Sequence, residues 1–258
     1  MYQALAESLN LPAVATVNEL GIDKAFDAGE RFGLNMEKVD RVLGVALGGG
    51  VETNPLQMAQ AYAAFANGGL MPEAHFITRI ENASGQVIKS HKNPQKRVID
   101  KSVADKMTSM MLGTFTNGTG ISSSPADYVM AGKTGTTETA FNPEYTSDQW
   151  VIGYTPDVVI SHWLGFPTNH YLAGSTSNGA AHIFRSMANT ILPYTPGSTF
   201  TVENAYKQNG IEPENTKQQV VENGTNQTED PLGDIRSRAQ NLVDEAGRAI
   251  SDAKIKEK

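Results

Sequence analysis

The sequence predicts an α+β fold with helices and an antiparallel sheet in segregated layers. Three observations predict it. Helix signals predominate in the first half of the chain, with a hairpin among them. Two strand-like runs, Gln149 to Thr155 and Val158 to Phe166, are joined by Pro156-Asp157 and are rich in Val, Ile, Trp and Tyr, which suit a pleated surface. A closing helix then follows from Ala180 to Leu192. Helices, then adjacent strands, then a helix is the order of a mixed fold rather than of alternating parallel units.

Each element has a local reason. Tyr2 to Glu7 reads as a short helix. Pro12 suits the first turn of the next, and Gly21 its end. Asp23 can cap a helix that closes at Gly33. Asn54-Pro55 opens another, with Leu56, Ala59, Ala63 and Ala66 on one face, and Asn67-Gly68-Gly69 ends it. His75 to Glu81 and Gln86 to Ser90 read as a hairpin around Asn82-Ala83-Ser84-Gly85. Asp100 caps a helix whose Val103, Met107, Met110 and Met111 form a core stripe. Asp127 to Thr137 reads as a strand running into a loop.

The chain has 258 residues, 39% of them hydrophobic and 19% charged, which is globular composition. Its formal net charge is −7, and no run of Lys and Arg offers the basic face that nucleic acid needs. No apolar stretch approaches the length of a membrane span. Met1 to Glu7 has neither the basic start nor the apolar centre of a signal peptide. Cysteine is absent, which removes disulfides, thiolate metal sites and cysteine nucleophiles. His162, His170 and His182 are not at zinc-pair spacing, so no metal or other cofactor is implied.

Composition divides the chain. Residues 1–197 hold both tryptophans, and beyond Gly197 the only aromatics are Phe200 and Tyr206. Residues 198–232 read as a polar linker, too poor in apolar groups to offset ordering entropy. Residues 233–258 read as a charged tail with helical spacing of Ile235, Leu242, Val243, Ala246 and Ile250. Residues 212–258 are expected to be dispensable for the fold, and a truncation near Gly197 to keep its melting temperature within a few degrees.

The densest polar signal is Gly132-Lys133-Thr134-Gly135-Thr136-Thr137. A phosphate-binding loop would need glycine at 127, where Asp127 stands, and a following helix, where Phe141-Asn142-Pro143 stands. Gly118-Thr119-Gly120 fails as a dinucleotide fingerprint because Ser123 occupies its third glycine position. Lys-Thr-Gly on an edge strand is a second reading. The ammonium supplies fixed positive potential, the threonine hydroxyls can bind a carboxylate, and Gly135 lets a peptide approach the backbone. An ordinary glycine-containing turn is the third reading. Ser8-Leu9-Asn10 lies between two helices, where a serine can relay a proton and an asparagine can hold an amide. Asn10 as a simple helix cap is the alternative.

Together these segments resemble a family. Active-site serine penicillin-recognising enzymes carry Ser-x-x-Lys, Ser-x-Asn and Lys-Thr-Gly in that order. Ser8-Leu9-Asn10 and Lys133-Thr134-Gly135 match the second and third, about 120 residues apart. Ala4 to Val14, Ala46 to Gly50 leading to Pro55 through Tyr62, Ala131 to Thr137, and Asp148 to Pro156 are similar to blocks of class A penicillin-binding proteins, over roughly residues 1 to 195. The first motif has no counterpart. The one Ser-x-x-Lys is Ser251-Asp252-Ala253-Lys254, in the charged tail. The chain therefore reads as the C-terminal part of a transpeptidase domain.

The resemblance implies a penicillin-binding protein/serine β-lactamase-like fold, incomplete at its N-terminus, with a helical lobe beside the sheet. It implies a peptidoglycan D,D-transpeptidase or D,D-carboxypeptidase acting through an acyl-enzyme and inhibited by β-lactams, the 258 residues alone being inactive. Ser8, Asn10 and Lys133 would be catalytic, and Thr134, Gly135 and Thr136 would bind substrate. The partners implied are peptidoglycan stem peptides, β-lactams and the upstream part of the same protein, in one chain or two. A glycosyltransferase domain and a membrane anchor on the extracytoplasmic face are implied upstream. The competing expectation is a non-catalytic peptidoglycan-binding or scaffold module of the same fold. A nucleotide-binding enzyme using Gly132-Lys133-Thr134 is a further alternative.

Overall fold

A computed structural model of the chain describes residues 1–139, 145–166, 170–172 and 179–212. In chain order the helices are α1 (Tyr2–Ala6), α2 (Asn10–Leu20), α3 (Ile22–Arg31), α4 (Pro55–Ala66), α5 (Lys101–Thr116), α6 (Gly179–Ile191) and α7 (Ala205–Gln208). The strands are β1 (Leu70–Pro72), β2 (Arg79–Glu81), β3 (Val87–Ser90), β4 (Gln95–Arg97), β5 (Ala131–Glu138), β6 (Thr146–Tyr154) and β7 (Val159–Gly165). The chain folds as two compact units. One joins Met1–Leu9 to the described residues from Thr108 to Glu212, and the other is Asn10–Met107.

Helices are the main regular elements of the unit Asn10–Met107. The α2–α3 boundary differs in detail from its sequence reading. Gly21 is the N-cap of α3, and Asp23 lies inside its first turn, where a carboxylate complements the helix dipole. Asn54 caps α4 as expected, its side chain accepting from the Gln57 N–H at 3.0 Å. Phe26, Met36 and Val39 form one small core, and Ala64, Met71 and Val98 another. The expected hairpin forms between β2 and β3. Leu70–Pro72 pairs antiparallel with Gln95–Arg97, a three-residue ladder too short to leave a period in the sequence.

The other unit is built on the antiparallel sheet β5-β6-β7. Central β6 is nearly all buried from Val151 to Tyr154, as its Val-Ile-Gly-Tyr composition requires. α6 covers the sheet, and Phe115, Met130, Val151, Ile160, Phe184 and Leu192 fill the space between. Gln149, buried on β6, accepts from the Ala180 N–H at 3.0 Å and so satisfies one of the free amides at the start of α6. Thr108 and Tyr154 share a buried hydroxyl bond of 2.8 Å.

Residues 198–212, expected as linker, pack onto this unit instead. Asn204 donates to the Thr116 hydroxyl at 3.0 Å, and Ser109 donates to the Glu203 carbonyl at 2.6 Å. Tyr206 is buried edge-on against Tyr2, with ring centroids 4.9 Å apart. A segment can dock through two side chains and its own backbone, which composition does not reveal. The rest of the expected linker and the tail 233–258, with Ser251-Asp252-Ala253-Lys254, lie outside the described residues.

Candidate active site

α1 is five residues long, and its end determines where Ser8 stands. The Ser8 N–H donates to the Leu5 carbonyl at 3.2 Å, and the Leu9 N–H to the Ala4 carbonyl at 2.9 Å. That pair of bonds is a Schellman closure, whose turning residue adopts the left-handed conformation and is usually glycine. Here it is Ser8, with φ of 58°. A side chain at such a position costs about 1 kcal/mol or more. The strained position turns the Ser8 hydroxyl toward β5.

β5 carries the other half. Its register pairs Gly132 with Gly153, Lys133 with Ile152, Gly135 with Trp150 and Thr136 with Gln149. Gly132 is dictated by the sheet. A Cβ there would lie 2.0 Å from the Ile152 carbonyl oxygen. Gly135 differs, since a Cβ would meet Trp150 at an ordinary 3.4 Å. The described sheet therefore leaves room for a side chain at 135. β5 is the edge of that sheet, and its exposure rises along its length from buried Ala131 to exposed Thr136. The Gly-Lys-Thr segment lies inside a strand and does not lead into a helix, so it lacks the helix N-terminus of a phosphate-binding loop.

The Lys133 ammonium donates to Ser8 Oγ at 2.7 Å and to the Thr134 carbonyl at 3.0 Å. Both partners are neutral oxygens. Burial lowers its pKa from 10.5 to about 8. The group is thus a cation at neutral pH that can give up its proton at modest cost. Thr134 and Gly135 are half-buried beside it, and Asn10 is exposed at the first residue of α2.

One further residue enters. Thr119 sits 2.5 Å from the Thr134 hydroxyl, oxygen to oxygen, and its N–H donates to the Ala6 carbonyl at 3.0 Å. Gly118 is seated so close to α1 that a Cβ would lie 2.2 Å from the same carbonyl. The structure thus brings Ser8, Lys133, Thr134 and Thr119 together from three stretches of chain. In the sequence, Gly118-Thr119-Gly120 stands out only as an incomplete dinucleotide fingerprint. Its second use, glycine for close approach to α1, carries no spacing signature.

Residues 1–189 match the family described as penicillin binding protein transpeptidase domain. The chain belongs to that family. Over its whole length it is 88% identical to penicillin-binding protein 2a of Streptococcus pneumoniae serotype 2, of which it covers 36%. It is 36% identical over 183 residues to penicillin-binding protein 1F of Bacillus subtilis, covering 25% of that protein. The chain thus spans about a third or less of these curated relatives. The structure of PonA1 from Mycobacterium tuberculosis in complex with penicillin V matches 78% of the chain and 58% of its own, at TM-score 0.67 and 26% identity. Penicillin-binding protein 1A of Haemophilus influenzae matches the fold over 78% of the chain and 35% of its own, at TM-score 0.65 and 21% identity.

In this transpeptidase family member the α+β class holds, with an antiparallel sheet covered by a helix. Among the described residues no helix is long and apolar enough to cross a membrane.

Proposed function

We propose that this chain supplies part of the active site of a serine D,D-transpeptidase that cross-links peptidoglycan. The observation that carries this is the 2.7 Å bond between the Lys133 ammonium and the Ser8 hydroxyl. It joins the Ser-x-Asn and Lys-Thr-Gly segments through their functional groups. The family's nucleophile motif, Ser-x-x-Lys, would come from polypeptide preceding this chain.

In this reading that serine attacks the carbonyl of a terminal D-Ala-D-Ala while the motif lysine takes its proton. The oxyanion is held by the Thr136 backbone N–H and the nucleophile's own N–H. The C–N bond breaks, Ser8 passes a proton to the departing D-alanine nitrogen, and Lys133 supports Ser8 as donor. The acyl-enzyme is then resolved by an amine of a second stem peptide, or by water. Asn10 holds the substrate amide. Thr134 and Thr136 bind the terminal carboxylate in the potential of Lys133. Gly135 leaves the strand edge open to the peptide, which agrees with the room found there. A β-lactam opens on the same serine and stays attached.

The longer protein is proposed to be class A, with a glycosyltransferase domain and a membrane anchor upstream and the site on the extracytoplasmic face. The test is acylation of the full-length protein by fluorescent penicillin. Lys133→Ala should slow it at least tenfold, the scale of one lost charge-assisted contact. Unchanged labelling would remove the assignment, and failure of the wild type to label would favour the non-catalytic module.

A further inference from the structure

We infer that Thr119 is a positioning residue that fixes the direction of the Thr134 hydroxyl and so selects ligands with a free carboxylate. The inference rests on the functional reading above. Each hydroxyl has one proton to give and two lone pairs to receive with. Two arrangements of the pair exist. Either Thr119 donates to Thr134, leaving the Thr134 proton free, or Thr134 donates to Thr119, whose proton then goes to the Ala6 carbonyl.

The length of the Ala6 contact favours the first. The oxygens of Thr119 and Thr134 are 2.5 Å apart, whereas Thr119 Oγ1 lies 3.4 Å from the Ala6 oxygen. The latter is long for a hydroxyl bond, and that oxygen already receives the Thr119 N–H at 3.0 Å. The 3.4 Å contact holds the Thr119 proton poorly, so we assign that proton to the short contact, which leaves the Thr134 proton to be donated outward. A carboxylate accepts only, so it reinforces this direction, and the chain of two hydroxyls strengthens as it polarises. An ester in the same place offers a weaker, neutral acceptor.

The backbone makes the arrangement rigid. Gly118 is wedged against Ala6, the last residue of α1, and Ser8 follows two residues later. Thr119 is thereby held by the helix that presents Ser8 while it touches the strand that presents Lys133.

The experiment measures acylation of the full-length protein by benzylpenicillin and by its methyl ester. Thr119→Val and Thr119→Ala should lower the acid-to-ester rate ratio about fivefold, the scale of one lost neutral hydrogen bond, and Thr119→Ser should restore it. The ratio is internal to each variant, so partial unfolding, which lowers both rates together, does not mimic the effect. Equal slowing of both compounds, or an unchanged ratio, would overturn the inference. Lys133→Ala separates the two readings. If it slows acylation while the Thr119 ratio stays constant, only the role of Thr119 fails. If it leaves acylation unchanged, the functional reading fails.

Discussion

Ser8 and Lys133 are 125 residues apart in the chain, and their side chains meet at 2.7 Å. Two local devices make the meeting possible. A Schellman closure puts a serine where helices normally place glycine, and a glycine at 132 lets β5 lie close to β6. The first is a departure from what stability alone would choose at that position, and the second is what the sheet requires.

Ser8→Gly tests the first device. Glycine accepts φ of 58° without a Cβ penalty, so the fold should gain about 1 kcal/mol. The Lys133 contact is lost with the hydroxyl. A raised melting temperature together with slowed acylation is the expected pair of results. A lowered melting temperature would show that the Lys133 bond outweighs the backbone strain.

How much of this was legible follows from the kind of signal each residue carries. Lys133-Thr134-Gly135 was legible because its residue types are rare together and sit at the end of a strand pattern. Ser8 was legible through its spacing to Asn10, but its left-handed backbone was not, since serine is not the residue that signals it. Thr119 was illegible because its partners lie 113 and 15 residues away and one of them is a carbonyl. The long sheet showed in the Val, Ile and Trp content of β6 and β7. The β1–β4 ladder did not, because three residues cannot establish a period.

Lys133 should make stability pH-dependent in a definite direction. Its folded pKa is about 8 against 10.5 for the free group. Between those values the unfolded chain binds more protons, so stability rises as pH increases from about 8 to 10.5. Below about 8 the cost of burying the cation is present in full. Urea midpoints of wild type and Lys133→Met at pH 7, 8.5 and 10 isolate the group. The wild type should gain on the variant as pH rises, and a constant difference would show that the lysine titrates normally in the fold.

The docked segment 198–212 gives a stability prediction opposite to the one composition suggested. Cutting the protein after Gly197 removes Tyr206, which is buried against Tyr2, and the Asn204–Thr116 bond. Loss of a buried aromatic and its neighbours costs about 3 kcal/mol, or a fall on the order of 10 °C in Tm for a unit of this size. Cutting after Glu212 should leave Tm within about 2 °C, since these contacts remain. Equal melting of the two truncations would show that the α7 contacts contribute nothing.

The last prediction concerns the nucleophile. A β-lactam is opened by a serine whose proton is taken by a base held beside it. Ser8 is hydrogen-bonded to Lys133, but Lys133 is donating to it and is mostly protonated at pH 7, with its pKa at about 8. Ser8 therefore has a proton source at hand rather than a proton acceptor, which suits a relay and not an attacking group. The 258-residue polypeptide by itself should form no adduct with fluorescent penicillin. Adding the preceding part of the domain, in the same chain or as a second one, should restore labelling, with the adduct on the added part. Intact-mass and peptide mapping of both preparations read this directly. A penicilloyl group on Ser8 would reverse the assignment, making Lys133 its base and the added segment unnecessary for the chemistry.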